Sequence, residues 1–292
     1  MKKLFSILSL TLILLSCSRE IEIDIPEPEP KLIAYATLSD NQTPYFRISK
    51  LLPILEDGNF GFVSNALVVL YENNQPVDTL QWLRDGIYIS DYNTTIGHTY
   101  SFSALAVGFP TISASCNIPS MPVVTLCTLT DSALLSSEGK YKARYQVVID
   151  DPPLETNYYE ISLLKIVDDT TRYYLSPELL SDPVVNAEGL SQFEVYSVLV
   201  SDNLFNGQSH TFSLYYGYQY GLDGAHMIVA EVRTLSESLY QFKKTLIKHE
   251  AYQEGADFIG YLQPVNQYTN ITNGIGVFGA QGLFSDTLRI YP

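Results

Sequence analysis

The chain has 292 residues, 46% of them apolar and 17% charged, with 32 Asp and Glu against 17 Lys and Arg and a formal net charge of −15. That apolar content describes a folded globular body and excludes a disordered one. The acidic surplus excludes a nucleic-acid partner, which needs clustered Lys and Arg, and a protein surface that adheres to anionic headgroups.

Lys2 and Lys3 precede an apolar run from Leu4 to Leu15 that ends at Ser16-Cys17. A basic start, an apolar run too short to span roughly 30 Å of hydrocarbon, and a small residue before the cut describe a secretory signal. Leu14-Leu15-Ser16-Cys17 is similar to a lipobox, which makes residues 1–16 the signal peptide and Cys17 the lipidated first residue of the mature protein. The alternative is a soluble secreted protein with a chance cysteine near the cut. Loss of Lys2 and Lys3 leaves 15 basic residues against 32 acidic ones and a formal charge of −17. Stable anchoring takes more than one acyl chain, which a lipobox supplies.

Residues 17–32 form an acidic, Pro-rich stretch. Ile21, Ile23 and Ile25 alternate with Glu22 and Asp24 as in a half-buried strand, whereas the Pro-Glu repeat that follows favours an extended spacer. The expectation is a tether that holds the body off the membrane, with an edge strand as the competing reading. Glu20 and Glu22, just after the cysteine, resemble the signal that sends some Bacteroidota lipoproteins to the cell surface, so the expected location is the outer membrane, facing outward.

The mature length leans toward two domains, expected at 33–120 and 121–292. In the first, Ala66 to Tyr71 is an almost continuous apolar run that predicts a strand buried on both faces. Asn73-Asn74, Asp85-Gly86, Gly97 and Gly108 mark turns about ten residues apart, which predicts an immunoglobulin-like or transthyretin-like sandwich. The second is a larger β-rich domain, with strands at Tyr141–Ile149, Tyr158–Ile166, Phe193–Val200, His210–Tyr220 and Met227–Thr234. One helix interrupts it: Ser236 is the N-cap, and Leu239, Phe242 and Leu246 make an apolar face up to about His249. The fold class is therefore mainly β. Cys116 and Cys127 remain as an even pair where disulfides are permitted. A disulfide between them and two separately buried thiols are the alternatives.

Six phrases carry a resemblance over nearly the whole mature chain: I-D-I-P-E-P-E-P-K-L from Ile23, S-N-A-L-V-V-L from Ser64, D-G-I-Y from Asp85, D-D-P-P-L-E-T-N-Y-Y from Asp150, S-D-N-L-F-N-G-Q from Ser201 and T-N-I-T-N-G-I-G-V-F-G from Thr269. Together they resemble the domain of unknown function 4249 family, outer-membrane lipoproteins of Bacteroidota. The resemblance implies a non-enzymatic accessory that accompanies a TonB-dependent receptor, with no catalytic residues to carry over. A free-standing surface binder of glycan, peptide or host protein is the alternative. Cys116 and Cys127 depart from the family pattern, so a disulfide would be particular to this chain.

Chemistry-bearing motifs are few. Gly274 to Gly279 spells G-x-G-x-x-G, yet without a strand before and a helix after it the pattern means close backbone packing or positive φ rather than dinucleotide binding. His98, His210, His226 and His249 stand in no metal-ligand spacing, and no G-x-S-x-G elbow marks a triad. No metal and no cofactor are expected. Acids and amides at Asp57-Gly58-Asn59, Asp150-Asp151 and Asp202-Asn203 read as solvated turns ahead of a calcium site. Period two along Phe212–Tyr220 puts Phe212, Leu214, Tyr216, Tyr218 and Tyr220 on one face. Tyr216, Tyr218 and Tyr220 are accordingly the candidate binding face, since tyrosines offer flat apolar area with a polar rim; the alternative is a row that packs into the core. Tyr173-Tyr174 and Tyr158-Tyr159 carry the same two readings.

Overall fold

The computed structural model describes residues 29–53, 61–168, 171–178, 182–190, 193, 195–217, 227–259 and 265–288. The signal peptide, Cys17, most of the acidic stretch, Tyr218 and Tyr220 lie outside the described residues. What is described is mainly β. The largest sheet runs β12 (Arg172–Tyr174), β11 (Tyr158–Ile166), β15 (Met227–Leu235), β16 (Ile275–Leu288), β1 (Leu32–Ser39), β2 (Tyr45–Lys50), β6 (Ile87–Ile89), β5 (Gln81–Arg84), with β13 (Val198–Ser201) also paired to β11. A second sheet runs β4 (Gln75–Thr79), β3 (Leu67–Glu72), β7 (Thr99–Leu105), β8 (Ile112–Asn117), and a third runs β14 (Ser209–Gly217), β10 (Tyr141–Asp150), β9 (Val123–Leu135).

The second sheet packs on one end of the large sheet and the third on the other, making two sandwiches with separate cores. In the first, Phe46 of β2, Phe102 of β7 and Phe278 of β16 meet with ring centroids 5.1 to 5.5 Å apart. Rings at this separation add to the stabilisation that burial alone supplies. In the second, Tyr145, Val147 and Ile149 of β10 and Phe212, Leu214 and Tyr216 of β14 face Tyr159, Ile161 and Leu163 of β11 and Val232 of β15.

One strand joins the two sandwiches. The first half of β16 pairs in parallel with β1, from Ile33 opposite Ile275 to Ser39 opposite Gln281. Its second half pairs antiparallel with β15, from Leu235 opposite Gln281 to Ile228 opposite Leu288. The first core is drawn from residues 32 to 118 but also takes Ile271, Phe278 and Ala280. A sequential division near residue 120 thus describes most of the first core, while its C-terminal part comes from the far end of the chain.

Local chemistry explains the turns. Asn73 and Asn74 both adopt positive φ, 48° and 67°, as do Asp85 and Gly86 at 46° and 70°, the geometry of two-residue hairpin loops. Three expectations need correction. In β3, Val68 and Leu70 are buried but Leu67 is 53% exposed, because the second sheet has one covered face and one open one. The strand expected from Phe193 forms only from Val198. The helix α2 (Glu237–Ile259) continues ten residues past His249, and a five-residue helix α1 (Pro183–Ala187) precedes it, capped by the Asp182 carboxylate, which accepts from the amides of Val184 and Val185.

Helix α2 starts at Ser236, whose Oγ accepts from the amides of Leu239 and Ala280. The helix lies on the face of the large sheet opposite both cores. Gly279 is what lets it come close: a Cβ there would lie 2.6 Å from Leu239 Cβ. Among the described residues no helix is long and apolar enough to cross a membrane.

Candidate binding cleft

Strand alternation decides what the outer face of the large sheet carries. On β1, Leu32, Ala34, Ala36 and Leu38 point into the first core, so Tyr35 and Thr37 point out. By the same alternation Tyr45 of β2, Gln281 of β16, Arg233 and Glu231 of β15, Glu160 of β11 and Tyr174 of β12 share that face. The register β11–β15 sets Glu160 opposite Arg233. Helix α2 forms one wall through Leu239, Phe242 and Lys243, and the segment before β13 forms another through Tyr196 and Ser197.

The result is a cleft of about 370 Å³ over the sheet that runs on, through shared Tyr35, Glu160, Tyr196, Ser197 and Lys243, into a space of about 570 Å³ beside α2. Four tyrosines ring it, Tyr35, Tyr45, Tyr174 and Tyr196, exposed by 38%, 52%, 49% and 57%. Tyr35 is steadied by Phe242, with ring centroids 5.9 Å apart.

The floor is a buried ion network. Glu160 accepts two bonds from Lys243 Nζ, at 2.8 and 2.7 Å, and one from Ser197 Oγ at 2.8 Å. Arg233 lies 3.6 Å away and also bonds Glu231. Burial pushes the Glu160 pKa up, but the Lys243 and Arg233 charges, with the bonds from Lys243 and Ser197, outweigh it and hold the carboxyl below its ordinary range. Burial likewise works against the Arg233 charge, and Glu160 and Glu231 more than offset it. Two acids and two cations balance, as a buried charge cluster requires.

A matching seat lies beneath the next helical residue. Glu188, after α1, accepts from Lys244 Nζ at 2.6 Å, from Tyr240 Oη, and from the amide and hydroxyl of Ser201 at 2.8 and 2.7 Å. Burial raises its pKa and these four bonds lower it further than burial lifts it. Adjacent lysines of α2 are thus plugged into two buried glutamates, which fixes the helix that walls the cleft.

The sequence-expected residues fall elsewhere. Tyr216 is 1% exposed, inside the second core with Phe212 and Leu214, so it is no binding face: these three side chains point at β11 and β15 rather than at solvent. Tyr218 and Tyr220 lie outside the described residues. Cys116 and Cys127 are free thiols that belong to different cores, Cys116 to the first and Cys127 against the second; no disulfide joins them. Burial raises both thiol pKa values. Of the other tyrosine pairs, Tyr174 reaches the cleft, whereas Tyr158 stacks on Tyr240 at 4.4 Å and Tyr159 donates to Asp151 at 2.6 Å.

Of the acidic turns, Asp57-Gly58-Asn59 lies outside the described residues, and the other two are built into the fold rather than solvated. Asp151 and Asp202 are 6% and 1% exposed; Asp151 also accepts from the Gly207 amide at 2.8 Å, and Asp202 from the Asn157 amide at 2.8 Å and Asn206 at 3.2 Å. The phrases starting at Asp150 and Ser201 therefore clasp one another. The phrase from Thr269 is structural too: the Asn270 side chain accepts from the Phe278 amide at 3.0 Å and donates to its carbonyl at 2.8 Å. Within G-x-G-x-x-G, Gly276 has φ +113°, and a Cβ there would lie 2.0 Å from the Ala34 carbonyl oxygen. That is close backbone packing.

A family model described as Domain of unknown function (DUF4249) matches residues 18–285. The chain belongs to that family. No match was found among curated proteins. Among solved structures, a mutant of Salmonella alpha-2-macroglobulin is similar at 11% identity with a TM-score of 0.24, over 77% of this chain and 15% of that one. Membership in DUF4249 brings a name without an activity, so the cleft has to be read on its own chemistry.

Proposed function

We propose that this DUF4249 member is a lipid-anchored binding protein of the outer membrane, facing outward, that serves as a non-enzymatic accessory of a TonB-dependent transporter. The observation that carries the binding role is the cleft: half-exposed tyrosines around a floor whose charges are already paired. Glu160, held ionised by Lys243 and Arg233, is a hydrogen-bond acceptor and not a proton donor near neutral pH. Ionisable groups committed to one another favour capture over catalysis. The anchor rests on Leu14-Leu15-Ser16-Cys17 and the acids after it, and the transporter partner on the family resemblance.

Affinity purification of the full-length protein from its native membrane in mild detergent tests the reading. The expected result is an acylated N-terminal peptide at Cys17 by mass spectrometry and co-purification of an outer-membrane barrel. An unacylated terminus elsewhere overturns the anchor. An acylated protein that brings down no barrel overturns the accessory role and leaves a free-standing surface binder.

A further inference from the structure

The geometry points to a neutral oligosaccharide as the occupant of the cleft, with Tyr35, Tyr45, Tyr174 and Tyr196 as its ring platforms; this rests on the reading of the protein as a binder. Four observations lead there. First, the platforms are held by the scaffold: three of the rings stand on strands and the fourth on the short segment leading into β13. Each offers a flat apolar face with a hydroxyl at its rim, which suits the C–H face of a sugar ring flanked by hydroxyls.

Second, the floor offers no unpaired charge. Every oxygen of Glu160 is engaged by Lys243, Arg233 or Ser197, and Arg233 is shared with Glu231. A phosphate, a uronic acid or a peptide carboxylate would have to break a buried pair to gain a counter-ion, at a desolvation cost that a neutral ligand does not meet, and the exposed Glu250 carboxylate lining the connected space adds repulsion.

Third, the cleft lies on the face of the sheet and not at its edge. β11, β15, β16, β1 and β2 are interior strands of the sheet, so the cleft presents the side-chain face of the sheet rather than an edge strand for an extended peptide to join. What remains is side chains with donors and acceptors together, among them Gln281, Thr37 and Ser197. Sugar hydroxyls, which both donate and accept, match that set. Fourth, a space of about 370 Å³ continuous with one of about 570 Å³ is the size that takes a molecule of several rings.

The test uses the lipidated full-length protein in detergent on an array of neutral hexose and pentose oligomers, with sulfated and carboxylated oligomers and unstructured peptides as comparators. Retention of one or more neutral oligomers is expected, weakened at least tenfold by Tyr45→Ala and by Tyr174→Ala and less than threefold by the matching Phe variants, which keep the ring. Saturating oligomer should also slow nitration of Tyr45, Tyr174 and Tyr196 in the unmodified protein, located by mass spectrometry, a readout that stands if an alanine variant fails to fold. Binding that survives both alanine variants with unchanged nitration moves the site elsewhere and overturns the assignment. Preference for acidic oligomers or peptides overturns the ligand class. A barrel that co-purifies while no glycan is retained overturns this inference alone; no barrel and no ligand of any class overturns the binder reading beneath it.

Discussion

Phe278 offers the sharpest test of the two-sandwich architecture, because it sits near the end of the sequence and in the middle of the first core. Its ring lies 5.5 Å from Phe46 and 5.1 Å from Phe102 and is fully buried. Phe278→Ala removes the buried ring, leaves a cavity that a sheet cannot readily collapse into, and forfeits both ring contacts, a total of about 3–5 kcal/mol. A domain is stable by only about 5–15 kcal/mol, so the loss is a large share. With a urea slope near 3 kcal/mol per M, the unfolding midpoint falls by about 1–2 M. Trp82, the single tryptophan, stands on β5 opposite Tyr88 of β6, so its fluorescence reports on the first sandwich specifically. A urea titration followed at Trp82 should show that shift. A change of less than about 1 kcal/mol, against the range expected for a buried ring, would mean that residue 278 does not complete the first core and that the β1–β16 pairing is misread.

Gly276→Ala places a Cβ 2.0 Å from the Ala34 carbonyl at a φ of +113°, a region nearly closed to side chains; a loss of at least about 2 kcal/mol is expected in the same titration, and a neutral effect would refute the close approach. Glu160 and Glu188 have folded pKa values below their ordinary range. Their stabilisation is therefore fully present above the unfolded value of about 4.3 and is lost as pH falls through the lower folded values; melting temperature measured from pH 7 to pH 3 should drop in the acid limb, and Glu188→Gln should flatten that drop. Cys116 and Cys127, free and with raised thiol pKa values, should resist iodoacetamide in the native protein and both react in denaturant without reductant; a pair that stays blocked until reduced would establish a disulfide.

Much of the fold was readable from alternation and turns. Val68 and Leu70, the Asn73-Asn74 loop and the strands at Tyr141, Tyr158 and Met227 announce themselves through local rules, as does the cap at Ser236. The helix beyond His249 was hidden because its later turns lose the apolar face that Leu239, Phe242 and Leu246 define. The division of β16 was hidden for a different reason. Val277, Phe278 and Ala280 are all buried, since one face meets the first core and the other meets α2, so no period-two pattern survives to reveal the strand's two partners. The cleft was hardest to see: Tyr35, Glu160, Tyr174, Tyr196 and Lys243 are strangers in sequence, brought together by strand register. Of these, the sequence alone singles out only Tyr174, as a member of one of several tyrosine pairs. The conspicuous run at Tyr215-Tyr216 misled because alternation tells which residues share a face and not which face is covered.

The parallel pairing of Leu32–Ser39 with Ile275–Gln281 also sets an order of events during biosynthesis. Ile33 and Ile275 are 242 positions apart, so when the first of these segments leaves the ribosome its partner has not been translated. Until it arrives, the early segment has an open flank and Phe46 and Phe102 lack their third ring. Loop closure over such a span is slow relative to local hairpins, and the first sandwich is left unfinished through nearly the whole of translation. A chain built in this way cannot close its first core until its last strand has been made, so any product that stops short of Ile275 leaves that sandwich open.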